Sequence, residues 1–262
     1  MIHIEDIVAA IPPANEGIGR RKNIHLVQYR SKTYKVRMCE TIEKAQVLEH
    51  NLACVKNSGI TPEFLGRLSQ YIVMEWIPQS QNLSIPPSDE QIKQIGKAFR
   101  TVHSISHLLP KSTFETISQS FIDAADHLYL SNVLDKKAFD NANALFRSIT
   151  PNPLHVSGEY LNFSHKNTIQ TPQGIVLLSD EESFCSSLTH TPLTKAVISW
   201  FSADQERLYW KSYDNPSEEE YFQKNRQFLF LYTAILWAAQ RSKRDLEISP
   251  YLHRALNDAI TH

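Results

Sequence analysis

The side chains with the clearest chemical potential fall between Tyr160 and Glu182. Asn162 is followed five residues later by Asn167, and thirteen residues after that by Asp180. Amide and carboxylate oxygens are hard ligands that suit magnesium. Phosphoryl transfer asks for such ligands on the phosphates and for a group that orients the attacking hydroxyl, with little covalent chemistry from the protein. A turn at Pro172-Gln173-Gly174 and an apolar strand from Ile175 to Leu178 separate Asn167 from Asp180, which would bring the acid back beside the amides. Two plainer readings stand beside this one. Asp180-Glu181-Glu182 also reads as a solvated acidic loop, and Asn167 alone as a turn residue.

The elements that must position this stretch fall in a clear order. Asn23 to Tyr29 and Thr33 to Cys39 alternate in strand fashion around a short turn at Arg30-Ser31-Lys32. Glu43 to Asn57 has helical apolar spacing, and Asn57-Ser58-Gly59 supplies a stop, with Gly59 suited to the left-handed position. Glu63 to Leu68 and Tyr71 to Trp76 form a second predicted hairpin, after which Ile77-Pro78 breaks the pattern. Ser88 or Asp89 caps a helix, and helical spacing continues to Ile149. A loop and strand region spans Pro151 to Ser183, and Leu193 to His262 is mostly helical. The expectation is an α+β protein with a boundary near Ile77: residues 1–77 a small β-rich unit with one helix, residues 78–262 a larger helical one.

The bulk properties exclude several classes. With 262 residues, 42% hydrophobic and 21% charged, the chain can bury a substantial core. A formal net charge of -1 lacks the basic footprint of nucleic-acid or membrane-surface binding. The apolar run from Phe228 to Ala239 is too short to cross a bilayer and reads as a core helix. Cys39, Cys54 and Cys185 are isolated, which fits reduced thiols in a cytoplasmic protein, and the first residues do not read as a signal peptide. No histidine spacing of the H-E-x-x-H kind supports zinc, and no G-x-S-x-G elbow supports a hydrolase.

Taken together, the motifs resemble the aminoglycoside phosphotransferase and choline kinase family. Phe163-Ser164 with Asn167, and Asp180-x-Glu182, are similar to the family's H-G-D-[LF]-S-x-x-N and D-[WF]-E patterns. Ile72-Val-Met-Glu75-Trp-Ile77-Pro78 is similar to its hinge, and Gly96 to His103 to its L-A-x-L-H helix. The resemblance covers nearly the whole chain and implies a protein-kinase-like, two-lobed fold that binds ATP and Mg²⁺ and acts on a hydroxyl of a small molecule. By this resemblance Gly17 and Gly19 form a phosphate-covering turn, and Lys35 or Arg37 contacts phosphate, with the local sequence favouring Arg37. Glu49 pairs with that cation, Glu75 and Ile77 meet adenine through their backbones, Asn167 and Asp180 hold the metal, and Asn162 orients the acceptor. Glu49 also reads as an ordinary exposed helix residue. The segment from Trp200 to Glu220 falls where the family builds its acceptor pocket, where carboxylates would suit an aminoglycoside and aromatics a quaternary ammonium; it also reads as an amphipathic helix with a charged loop.

One departure matters. The family's H-G-D is Tyr160-Leu161-Asn162 here, and an amide has no basicity to match a carboxylate. A rival register places Ser157 in the aspartate's position, and Glu159 is the nearest acid to stand in for it. The sequence therefore leaves three functions open: a phosphotransferase with a degenerate catalytic loop, an inactive pseudokinase that engages a nucleotide or a protein partner, or an unrelated α+β protein.

Overall fold

The computed structural model describes residues 3–11 and 23–261. It begins with a short helix, α1 (Ile4–Ala9), a segment too brief for periodicity to announce. Strands β1 (Ile24–Tyr29) and β2 (Lys32–Met38) form an antiparallel hairpin. Its two-residue loop places Arg30 and Ser31 at φ 47° and 62°, the positive pair that so tight a hairpin demands. Helix α2 (Ile42–Val55) starts at Thr41, whose hydroxyl accepts from Lys44 N at 3.2 Å. It ends a little earlier than its spacing suggests, and Asn57 takes the first left-handed position, at φ 67°, ahead of Gly59 at 73°.

Strands β3 (Phe64–Leu68) and β4 (Tyr71–Glu75) complete a four-stranded sheet in the order β1-β2-β4-β3. Strand alternation gives the sheet two apolar faces. Val27, Val36 and Val73 pack with Ile7 of α1 on one side. Ile72 and Met74 join the larger core with Ala45, Leu48 and Leu52 of α2 on the other. Lys35 sits opposite Met74, and Arg37 opposite Ile72, so both cations share the inner face.

After a short strand β5 (Gln81–Asn82), helix α3 (Asp89–His103) is launched by a Ser88–Gln91 capping box. The predicted helical stretch to Ile149 is in fact interrupted twice, giving α4 (Phe114–Leu130) and α5 (Lys136–Ile149), each restarted by its own cap at Thr113 and Asp135. Then come β6 (Val156–Tyr160), β7 (Thr168–Gln170), β8 (Val176–Leu178), a single 3-10 turn at Glu181–Ser183, and β9 (Phe184–Leu188). These short strands make two small sheets, β5-β7-β8 and β6-β9. The chain finishes with α6 (Thr191–Ser199), α7 (Ala203–Tyr213), α8 (Pro216–Lys224), α9 (Arg226–Ser242) and α10 (Pro250–Thr261).

Two close approaches lock the helical part together. At Gly96 of α3 a Cβ would stand 2.4 Å from Ser212 Oγ and 2.8 Å from the Tyr209 carbonyl oxygen of α7. At Gly158 of β6 it would meet the carbonyl oxygens of Val102 and Ile105, at 2.4 and 2.8 Å. The aromatics expected to line an acceptor pocket are largely core: Tyr209, Trp210 and Tyr213 are buried against α3 and His190, while the acids Asp214, Glu219 and Glu220 are exposed. Helix α9 buries Phe228, Leu229, Leu231 and Ile235, as its apolar run requires. Among the described residues, no helix is long and apolar enough to cross a membrane.

Candidate active site

Tyr160 organises the loop that follows β6. Its buried hydroxyl donates to the Asn167 carbonyl at 2.5 Å and accepts from Asp180 N at 2.8 Å, tying both ends of the β7–β8 hairpin to one phenol. Burial raises the Tyr160 pKa well above its ordinary value, and the nearby Asp180 charge adds to this, so the phenol stays protonated. Ser179 N donates to the same Asn167 carbonyl at 2.9 Å. The result is convergence of the three residues singled out by spacing. Asn162 Nδ2 donates to Asp180 Oδ2 at 2.8 Å, and Asn167 Nδ2 donates to the Asn162 carbonyl at 2.9 Å.

Asp180 is buried. Its Oδ2 accepts from Asn162 and from Ser183 Oγ at 2.9 Å, while its Oδ1 has no protein partner. A buried carboxylate oxygen without a donor is costly unless a ligand completes it. No hydrogen bond among the described residues uses Asn167 Oδ1. Those two oxygens fit a hard cation. Among the described residues no cluster of three His, Cys, Asp or Glu side chains forms a metal site of another kind.

Lys35 and Arg37 are brought to one acid, but not to the expected one. Glu181 is fully buried and binds both Lys35 Nζ and Arg37 Nε. Arg37 also reaches Glu182 at 2.9 Å, and Lys35 Nζ donates to the Ser179 carbonyl at 3.1 Å. Burial works against the Glu181 charge, yet the two cations outweigh it and hold the carboxyl below its usual range. Glu49 instead pairs with Arg67 of β3 at 2.6 Å, because its position on α2 faces the outer strand and not the inner cations. Arg37 is only 2% exposed and lies behind the site, so the cation on the cleft wall is Lys35, the reverse of what the local sequence favoured.

That cleft, of about 340 Å³, lies between the sheet and the β5-β7-β8 hairpin and is lined in part by Ile24, Lys35, Met74, Glu75, Ile77 and Lys166. Glu75 N already donates to the Glu63 carbonyl at 2.8 Å, which leaves a ligand only the carbonyl side of Glu75. The Ile77 N–H has no hydrogen-bond partner among the described residues. Lys166, adjacent to Asn167, is a second cation on the wall; its only sequence signal was that adjacency. Gly17 and Gly19 lie outside the described residues. A second cavity of about 580 Å³ opens on the other side, lined by Asn162, Asp180 and Glu182 together with residues of α4, α6 and α9. The consecutive residues Ser179 and Asp180 thus line one cavity each.

The alternatives for the missing aspartate take no part in this site. Ser157 lies within β6 opposite Ser187 and accepts from Thr189 Oγ1 at 2.9 Å. Glu159 is fully buried and faces the core, with its Oε1 3.0 Å from His103 Nε2 and accepting from His190 N at 2.7 Å. Strand alternation sends it to the face opposite Tyr160, away from the cavities.

No family model matches the chain, and no curated protein matches it by sequence. Solved structures match along nearly its whole length. Choline kinase LicA from Streptococcus pneumoniae superposes with a TM-score of 0.69 at 14% identity, covering 98% of this chain and 95% of that one. An ethanolamine kinase from Plasmodium vivax gives 0.63 at 13% identity, over 91% of this chain and 78% of that one. The ADP-bound aminoglycoside phosphotransferase APH(2'')-Ib gives 0.58 at 12% identity, over 90% and 91%. The chain therefore has the two-lobed, kinase-like fold seen in choline and ethanolamine kinases and aminoglycoside phosphotransferases.

Proposed function

We propose that this chain is an ATP-dependent phosphotransferase that acts on a hydroxyl group of a small molecule. The observation that carries the reading is the meeting of two cavities at Ser179–Asp180, with a buried, unpartnered carboxylate oxygen where they meet. Residues 1–77 cover the nucleotide in this reading, and residues 78–262 carry the catalytic loop and the acceptor. The narrower cleft takes the base, with the Glu75 carbonyl and the Ile77 N–H as its edge contacts, and Lys35 and Lys166 face the phosphates. Asp180 and Asn167 hold Mg²⁺, which when bound neutralises charge on the phosphates.

The second cavity presents the acceptor hydroxyl to Asn162. The hydroxyl oxygen forms a bond to the γ-phosphorus while the bond to the bridging oxygen breaks, and ADP leaves with that electron pair. Asn162 positions the hydroxyl through its amide without accepting the proton, which passes to a phosphoryl oxygen or to water. Loss of a positioned base costs on the order of 10²–10⁴-fold, so a slow enzyme is expected. A second reading, a nucleotide-binding module without turnover, draws on the same Asn162, whose amide is already committed to Asp180.

Thermal unfolding with ATP, with and without magnesium, tests the assignment. Ligand at about 100 times its dissociation constant should add roughly 2.7 kcal/mol of apparent stability. The increment should require magnesium and vanish in Asp180→Ala; an unchanged increment in that variant refutes the metal assignment. Asn162→Asp separates the two readings. It sets a carboxylate against Asp180 that magnesium would relieve, and it should raise ADP release only if the protein turns over.

A further inference from the structure

The second cavity contains an ammonium group without a counter-ion. Lys195 projects from α6 into the wall that also carries Thr233, Trp237, Gln240 and Lys243 of α9 and its end. Its Nζ lies 5.0 Å from the centroid of the Trp237 ring, and it has no ion pair among the described residues. Burial, and then Arg241 and Arg244, lower its pKa to about 8, so the ammonium is strained by its surroundings yet still largely charged at neutral pH. Thr233 Oγ1, on the same wall, is buried and unpartnered. A helical threonine ordinarily returns its hydroxyl to a carbonyl one turn back, so this donor is open to a ligand.

Three acids share the cavity lining with Lys195 and Lys243, and none of them pairs with Lys195. Glu182 pairs with Arg37, Asp180 is held by Asn162 and Ser183, and Asp123 is exposed on α4, where it accepts from Gln119 at 2.7 Å. A cationic acceptor would need an open aromatic face or a free carboxylate at the far wall. Here the Trp237 face is already occupied by Lys195.

Accepting the phosphotransfer reading, we propose that the acceptor is an anion: a hydroxyl compound bearing a carboxylate or phosphate group, bound by Lys195 and Thr233 with Lys243 at the rim. The anion supplies the missing charge partner and a hydrogen-bond acceptor together, while its hydroxyl reaches Asn162. Lys195 is then a specificity-determining residue.

Titration calorimetry of the full chain with magnesium and a non-hydrolysable ATP analogue tests this with four probes: glycerate, glycerol phosphate, choline and kanamycin. Glycerate or glycerol phosphate should bind at millimolar concentration or better, and which of the two binds tells carboxylate from phosphate. Lys195→Gln should weaken that binding at least tenfold, the scale of one charge-assisted hydrogen bond. Lys195→Arg should restore it to within a few-fold, and nucleotide affinity should be equal in all three proteins. The proposal is overturned if choline or kanamycin binds and the anions do not, if neither anion binds, or if Lys195→Gln leaves anion binding unchanged. Should the nucleotide fail to bind, the phosphotransfer reading falls, and the same titrations without nucleotide still decide the anion site.

Discussion

Replacing Glu181 by glutamine should destabilise this protein far more than the same change at Glu49. Glu181 has a side-chain exposure of 0%, and the cations it binds are 16% exposed for Lys35 and 3% for Arg37. Removing one partner of a buried ion pair leaves uncompensated charge and costs about 3–5 kcal/mol. Two features place the expected loss near the lower end. Glu182 still reaches Arg37, and Lys35 keeps the Ser179 carbonyl. A loss of about 3 kcal/mol, at about 2–4 °C per kcal/mol for a chain of this size, lowers the melting temperature by roughly 6–12 °C. Glu49 is 39% exposed and Arg67 is 22% exposed, so Glu49→Gln should cost at most about 1 kcal/mol.

Denaturant unfolding of both variants at neutral pH measures the contrast. Acid titration adds a second readout. The folded-state pKa of Glu181 lies below its unfolded value, so its stabilisation is present above about pH 4.5 and is lost as pH falls through the folded value. Glu181→Gln should flatten that acid limb. Equal losses for the two variants, or a Glu181→Gln loss well under 1 kcal/mol, would refute the assignment of Glu181 as the anchor of the strand cations.

Two further outcomes follow from the helical part. Gly96→Ala should cost about 1–3 kcal/mol in equilibrium unfolding, because the added methyl meets the Tyr209 backbone, which yields less readily than a side chain; a neutral result would contradict the close α3–α7 approach. His190 is fully buried, and burial lowers its pKa to about 4 although Glu218 at 2.9 Å partly opposes this. The unfolded state therefore takes up a proton between about pH 6.5 and 4 while the folded state does not, so stability is complete above about 6.5 and declines by on the order of 3 kcal/mol as pH falls to 4. His190→Asn, which tolerates the left-handed backbone at φ 68°, should remove this slope, and a slope that persists would place the titration elsewhere.

The sequence by itself settled what is local. Alternation around Arg30-Ser31 set β1 and β2 and placed Lys35 and Arg37 on one face, since residues two apart on a strand must share a side. Ser88 and Gln91 fixed the start of α3 through their reciprocal cap. The spacing of Asn162, Asn167 and Asp180 around a predicted hairpin was enough to foresee their convergence, because a hairpin returns the chain to its starting point. What only the tertiary structure decided are partnerships between distant segments. Nothing near Lys35 or Arg37 in the chain marks Glu181, about 144 residues away, as the acid they share, and nothing near Glu49 marks Arg67 over those cations. The local sequence ranked Arg37 above Lys35, yet burial, which depends on what packs over the sheet, withdrew Arg37 from the cleft. The wall proposed to bind the acceptor was likewise out of reach. The segment from Trp200 to Glu220 has the composition of a pocket, but its aromatics pack largely as core and Asp214, Glu219 and Glu220 face outward, whereas Lys195, Thr233 and Trp237 meet only because α6 lies against α9. Side-chain identity carries chemistry along the chain, but burial and charge pairing are properties of the packed whole.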